Sequence, residues 1–191
     1  LHLYYFRLEN KKAKIFGSNS SPIKAFEKID WEEIVLKRGD FLIKAGQTEK
    51  YLYYVVSGAL RAYTYVEDEE HTIRFGYKDS IIVAIPSFFN TKPTDIYIEA
   101  LRKSVLFRAK KKDFEEAMQN NIDSLLHYNA LLKDLIGTFY EREIDILQKD
   151  PAKRLKRVLE RSPQVFQEVP HKYIAAYLRM TPETLSRLLN S

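Results

Sequence analysis

Glu183 and Arg187, four positions apart near the end of the chain with Thr184 and Ser186 between them, carry the most specific chemistry in this sequence. On a helix that spacing puts both charges on one face. A guanidinium there can donate two hydrogen bonds to O6 and N7 of a guanine, and a carboxylate can accept from N4 of a cytosine. A short hydroxyl side chain can hold a phosphate or touch a thymine methyl. The same pair on a solvated face is an ordinary i,i+4 ion pair worth ~0.3 kcal/mol. The neighbouring sequence has to separate the two readings.

It does so by predicting two short crossing helices over residues 171–190. Ile174, Leu178, Met180, Leu185 and Leu188 fall at the interior positions of a helix-turn-helix, and Ala175 falls where the helices approach too closely for a larger side chain. Pro170 suits the first turn of the first helix. Thr181 is a natural N-cap, Pro182 needs no amide partner at N1, and Glu183 sits near the positive end of the helix dipole. The candidate DNA-binding residues are therefore Thr181, Glu183, Thr184, Ser186 and Arg187, with Lys172 on the preceding helix. Arg179 stands in the turn where a glycine is usual, at a cost on the order of 1 kcal/mol if its φ is positive.

The charge distribution agrees. The net charge is +5, yet residues 1–150 hold 23 basic and 23 acidic side chains, so the excess lies entirely in the last 41 positions. Such a segment attracts a polyanion by releasing condensed counterions. There are no cysteines, which excludes disulfides, thiol catalysis and cysteine-held zinc or iron–sulfur centres and suits a reducing compartment such as the cytoplasm. The histidines, His2, His71, His127 and His171, are far apart, and no phosphate-binding glycine loop or nucleophile elbow is present. No enzyme, catalytic residue, metal or cofactor is expected. The longest apolar run, residues 81–89, is interrupted by Pro86 and falls short of the ~18 residues of a membrane helix. The opening residues, Leu1 to Phe6, lack a basic leader, and a start at Leu1 rather than Met suggests a trimmed terminus.

Between residues 31 and 110, short β-branched and aromatic runs alternate with turn residues, predicting strands near 34–36, 41–43, 51–56, 60–66, 72–75, 81–85, 96–101 and 105–108. Many strands at this spacing, with no helix-length connectors, predict a sandwich or barrel. The four residues Glu67 to Glu70 are expected to form one turn. Asp113 is expected to cap a short helix. Beyond it, residues 122–149 predict a helix of roughly 40 Å with a seam at 122, 125, 132, 136, 139 and 146, long enough to favour pairing with a second copy. Asp150-Pro151 ends that helix, and a basic amphipathic helix follows over 152–161.

With Gly39, Gly46 and Gly58 at the turns of the predicted roll, a long helix, and then the segments Ile174 to Leu178 and Thr181 to Arg187, residues 20–191 resemble the Crp/Fnr family of bacterial transcription regulators, particularly its Bacteroidetes-type branch. The resemblance implies an α+β chain in three parts. Residues 1–121 would be an antiparallel, cyclic-nucleotide-binding-like β-roll of the jelly-roll kind, 122–150 a dimerisation helix, and 151–191 a winged-helix or helix-turn-helix DNA-binding domain. It further implies a homodimer on a palindromic site in double-stranded DNA, with RNA polymerase as a partner. Members that bind cyclic AMP use a Gly-Glu pair and an Arg-Ser/Thr-Ala stretch. Here Val83-Ala84 and Thr94-Asp95-Ile96 replace them, so cyclic nucleotide binding in the usual mode is not expected. Arg74, Ser87 and Lys92 remain as anion contacts for a different effector, with Tyr63, Phe88 and Tyr97 as pocket walls. A ligand- or protein-binding sensor whose helix-turn-helix no longer reads DNA is the alternative, and the salt dependence of duplex affinity separates the two.

Overall fold

The computed structural model describes residues 4–9, 12–17, 29–120 and 122–190, the first two stretches as backbone. Leu1, His2 and residues 18–28, where the roll was expected to begin, lie outside the described residues. Strands β1 (Tyr4–Glu9) and β2 (Lys12–Gly17) pair antiparallel as a hairpin.

Eight further strands make two four-stranded antiparallel sheets. The first has the order β3-β10-β5-β8, built from β3 (Glu32–Leu36), β10 (Ser104–Lys110), β5 (Tyr51–Ser57) and β8 (Ile81–Ile82). The second has the order β4-β9-β6-β7, built from β4 (Phe41–Ile43), β9 (Tyr97–Ala100), β6 (Ala59–Val66) and β7 (Glu69–Tyr77). Their facing sides bury Tyr53, Val55, Ile82 and Leu106 against Ile43, Leu60, Ala62 and Ile98. This is the sandwich that period-two alternation requires.

Turn chemistry sets the register. Glu67 and Asp68 both have positive φ (51° and 66°), so a two-residue turn joins β6 to β7 and the hairpin begins at the Val66–Glu69 pair. The four-residue turn expected from the acidic run is thus two residues shorter, because paired left-handed positions match the strand twist. Gly58, at φ +100°, joins β5 to β6, and a Cβ there would collide with Ser104.

The run 81–85 is a strand only through Ile82. Pro86 then opens α1 (Ile85–Asn90), since its fixed φ suits a first helical turn and it cannot donate to a ladder. Helix α2 (Lys111–Gln119) begins two residues before the expected cap, and Asp113 sits in its first turn rather than capping it. Helices α1 and α2 cover the outer face of the first sheet, burying Leu52, Phe88, Phe107, Phe114 and Met118.

Helix α3 (Ile122–Leu147) turns one face inward, where Ser124 and Asp145 are buried and Tyr128, Leu131, Leu135 and Thr138 are half-buried. Ile122, Leu126, Ile136, Tyr140 and Leu147 point away from the body. Four further helices follow: α4 (Pro151–Arg161), α5 (Val165–Glu168), α6 (His171–Tyr177) and α7 (Pro182–Leu189). They dock on the outer face of the second sheet, sharing one core with Ala59, Phe75 and Leu101. That docking explains why Arg61 and Tyr63, on the side of β6 away from the inter-sheet core, are buried. Among the described residues, no strand accompanies α4 to α7, and no helix is long and apolar enough to cross a membrane.

Candidate nucleic-acid interface and effector site

Helix α6 ends through two backbone bonds around a left-handed residue. Arg179 N–H donates to Ala176 O at 3.1 Å and Met180 N–H to Ala175 O at 3.0 Å, with Arg179 at φ 52°. This is the Schellman arrangement in which glycine is usual. Arg179 accepts the left-handed cost anticipated from the sequence, because Met180 must turn back onto the shared core. Thr181 then caps α7, its Oγ1 accepting from Thr184 N–H at 3.2 Å, with Pro182 in the first turn. Ile174, Ala175, Leu178 and Leu185 are buried, and Met180 and Leu188 pack against them.

The outward face of α7 presents Glu183, Ser186 and Arg187 to solvent, with Thr184 half-buried. The hydroxyl of Thr181 donates to that of Thr184 at 3.2 Å. Hydrogen bonding from its own backbone amide and the Thr181 hydroxyl holds the Glu183 carboxyl below its ordinary pKa. The helical-neighbour ion pair between Glu183 and Arg187 is not formed. Among the described residues the Arg187 guanidinium has no hydrogen bond or ion pair, and the residue is exposed. Lys172 is exposed, its ammonium 4.7 Å from the ring centre of Tyr173.

Not all of the C-terminal positive charge faces solvent. Arg157 Nε donates to Asp145 Oδ1 at 2.8 Å and its Nη2 to Glu141 Oε2 at 2.6 Å, while Arg161 pairs with Asp145 and reaches Glu141 at 3.4 Å. Arg154 bonds to Gln148 O and, at 3.3 Å, to both Lys149 O and Arg179 O. These three arginines fasten α4 to α3 and to the turn before α7. Lys153, Lys156, Lys172, Arg179 and Arg187 remain exposed. The signal for the fastening was present in the sequence as Glu141 and Asp145 one turn apart, opposite arginines at 154, 157 and 161.

At the position of the expected effector contacts, a carboxylate of the chain itself is buried. Glu49 is 2% exposed. Its Oε1 accepts from Lys50 and Tyr51 N–H at 3.1 Å, and its Oε2 from Ala84 N–H at 3.3 Å, at the start of α1. Burial raises its pKa despite those donors. Ser87, buried, accepts from Glu49 N–H at 2.9 Å and donates to Lys92 O. Thr94 Oγ1 accepts from Ile96 N–H at 3.0 Å, and Asp95 is exposed.

The six residues expected to form an effector pocket separate. Ser87 is consumed by the Glu49 loop, and the Lys92 side chain is exposed. Tyr63 and Tyr97 stack at 5.1 Å on the face of the second sheet that carries Arg61, because their β6–β9 register matches that of Arg61 and Glu99. Desolvation there raises the Tyr63 hydroxyl to about 12. Arg74 and Phe88 do line a common cavity of about 340 Å3, which lies between the sandwich edge, α3 and the C-terminal helices.

Residues 33–121 match the cyclic nucleotide-binding domain family. Among solved structures, FixK2 from Bradyrhizobium japonicum superposes with a TM-score of 0.72 at 17% identity, over 84% of this chain and 83% of that one. The fold is that of the Crp/Fnr-type regulators. A candidate regulator of the Crp/Fnr family from Eubacterium rectale gives a TM-score of 0.64 at 18% identity, over 87% and 81% of the two chains. CooA from Carboxydothermus hydrogenoformans gives 0.63 at 20% identity, over 88% and 76%. No curated protein sequence matches the chain significantly. The Crp/Fnr-type fold accounts for the order of roll, long helix and terminal helices along the chain. Among the described residues, no cluster of three or more His, Cys, Asp or Glu is placed to hold a metal.

Proposed function

We propose that the chain is a transcription regulator that binds double-stranded DNA as a homodimer, laying α7 in the major groove of each half of a palindromic site. The observation that carries this reading is the outward face of α7. Arg187 has free donors, Glu183 is ionised at neutral pH, and both stand on a helix fixed by its cap and by the buried Leu185. Arg187 would read a guanine, Glu183 a cytosine, and Thr181, Thr184, Ser186 and Lys172 would hold flanking phosphates or a thymine methyl.

The outward stripe of α3 supports the dimer. Ile122, Leu126, Asn129, Lys133, Ile136, Tyr140, Glu143 and Leu147 follow one another at alternating steps of four and three, the spacing of a coiled-coil seam. Five of these eight are large apolar side chains exposed to solvent. A stripe of that length is covered in a stable protein, and a symmetric second copy covers it with itself. Of the seam expected from sequence, Leu132 and Ile146 are half-buried on the chain's own side, whereas 122, 125, 136 and 139 are exposed.

The roll is read as an effector domain that does not take a cyclic nucleotide in the usual way. Glu49 already engages the amide of Ala84, and a second anion there would meet a buried carboxyl. The test of DNA reading is selection of bound duplexes from a randomised library, followed by titration between 50 and 200 mM salt. A palindromic consensus and a steep fall in affinity with salt are expected. Arg187→Ala is expected to relax preference at one position of each half-site by about 1–3 kcal/mol. Selection that returns no consensus, with no duplex affinity even in dilute buffer, would overturn the reading in favour of a sensor that does not read DNA.

A further inference from the structure

The two sheets leave adjacent edges open, at β8 in the first and β7 in the second. Helix α3 roofs the gap, and α4 to α6 close one end of it. The resulting cavity, about 340 Å3, falls at the lower end of the range of small-molecule pockets. Phe75, Ile82, Phe88, Tyr128, Leu131 and Leu135 make most of its surface apolar.

One charged side chain breaks this apolar lining without an answering charge. Arg74 stands opposite Ala62 in the β6–β7 register and is half-buried, and its guanidinium has no hydrogen bond or ion pair among the described residues. Its partner is the ring of Phe139, 5.8 Å away. Burial lowers its pKa, and no carboxylate is among the groups that act on its charge. The other charged groups in the lining are otherwise engaged or open to water: Asp79 accepts from Tyr54 Oη at 2.7 Å, Arg161 is held by Asp145 and Glu141, and Asp134 is exposed. A desolvated guanidinium is costly until an anion pairs with it, and it is built to take a carboxylate or phosphate through two parallel bonds.

We infer that this cavity binds a small amphipathic organic anion, its head group on Arg74 and its apolar body between Phe88, Leu131 and Leu135. The site is distinct from the Glu49 loop. Its walls come from the sandwich, the long helix and the terminal helices, so occupancy would bias how those three parts pack together. That regulatory consequence rests on the function proposed above, whereas binding itself does not.

The test is calorimetric titration of the full chain with decanoate, with 1-decanol as the uncharged comparator and octyl phosphate as a second head group. One decanoate per chain is expected, with decanol at least tenfold weaker. Arg74→Gln is expected to weaken decanoate at least tenfold and to leave decanol unchanged. Leu135→Trp fills the cavity without touching the charge and is expected to abolish binding of all three, with circular dichroism checking that each variant is folded. Tighter binding of octyl phosphate than of decanoate would assign the head group as a phosphate and still support the site. Equal affinity of decanoate for the parent and Arg74→Gln chains would overturn it, as would no decanoate binding to the parent chain at millimolar concentration. The titration contains no DNA, so loss of duplex reading with decanoate binding intact defeats only the function proposed above, and the converse defeats only the cavity.

Discussion

Arg157 Nε donates to Asp145 Oδ1 at 2.8 Å, joining the first terminal helix to a carboxylate on the long helix that is fully buried. Arg161 closes on the other oxygen of the same carboxylate. Removing one member of such a cluster leaves buried charge without compensation. Asp145→Ala is expected to cost about 3 kcal/mol, the lower end of the usual range for breaking a buried pair, because both guanidiniums keep some contact with water. Asp145→Asn, which keeps the shape, should fall between it and the parent chain. Urea denaturation followed by circular dichroism measures both.

Arg179 holds a conformation that glycine adopts without steric cost. Its φ is 52°, and the contact it makes to Arg154 uses its backbone carbonyl, which any residue supplies. Arg179→Gly is therefore expected to stabilise the protein by up to about 1 kcal/mol, a rise in Tm of roughly 2–4 °C for a chain of this size. A scanning calorimetry trace with an unchanged or lower Tm would show that the arginine side chain contributes more than its backbone costs.

Glu49 gives the fold a pH dependence of known sign. Burial raises its pKa in the folded state above the ordinary carboxylate value, so the native protein holds this proton more tightly than the unfolded chain. The stabilisation from that proton is complete below the unfolded pKa and disappears as pH rises through the folded one. The stability of the parent chain relative to Glu49→Gln should accordingly fall as pH is raised from about 4.5 toward neutrality. Urea titrations at half-unit pH steps follow this difference. A difference that is flat or rises with pH would remove the assignment.

Ile136 and Tyr140 lie on the outward stripe of the long helix, 66% and 67% exposed. Replacing Ile136 with Glu places like charges across the axis of a symmetric pair. It is expected to convert the proposed dimer to monomer in sedimentation velocity runs at micromolar concentration, with little change in the unfolding of each chain. Duplex affinity should fall with it, since each half-site then binds alone.

Much of the terminal helix pair was legible because its signals are local. Thr181-Pro182 fixes a helix start through one side-chain oxygen and one absent amide, and Ile174, Leu178 and Leu185 recur at helical spacing. The strands between residues 31 and 110 were legible for the same reason, except where Pro86 switched the chain into α1, whereas the hairpin of β1 and β2 was not anticipated. What the sequence concealed depends on distance. Tyr63 and Tyr97 read as walls of an effector pocket, but which side a strand residue faces is set by pairing register, and β6 and β9 place both on the face away from the inter-sheet core. Ser87 read as a free anion contact, yet the Glu49 backbone amide that occupies it is 38 positions away. Arg157 and Arg161 counted toward an electrostatic footprint until their partners at 141 and 145 came into reach.

Arg154 spans the joint between the long helix and the terminal helices. One of its nitrogens meets the carbonyls of Gln148 and Lys149 at the end of the long helix, and the other meets the carbonyl of Arg179 just ahead of α7. A rigid planar fork cannot follow two surfaces that move apart. Displacement of the long helix therefore reaches the turn ahead of α7 through this guanidinium, in parallel with the Arg157 and Arg161 contacts to α4, and loss of Arg154 removes the link that ties that turn directly to the end of the long helix.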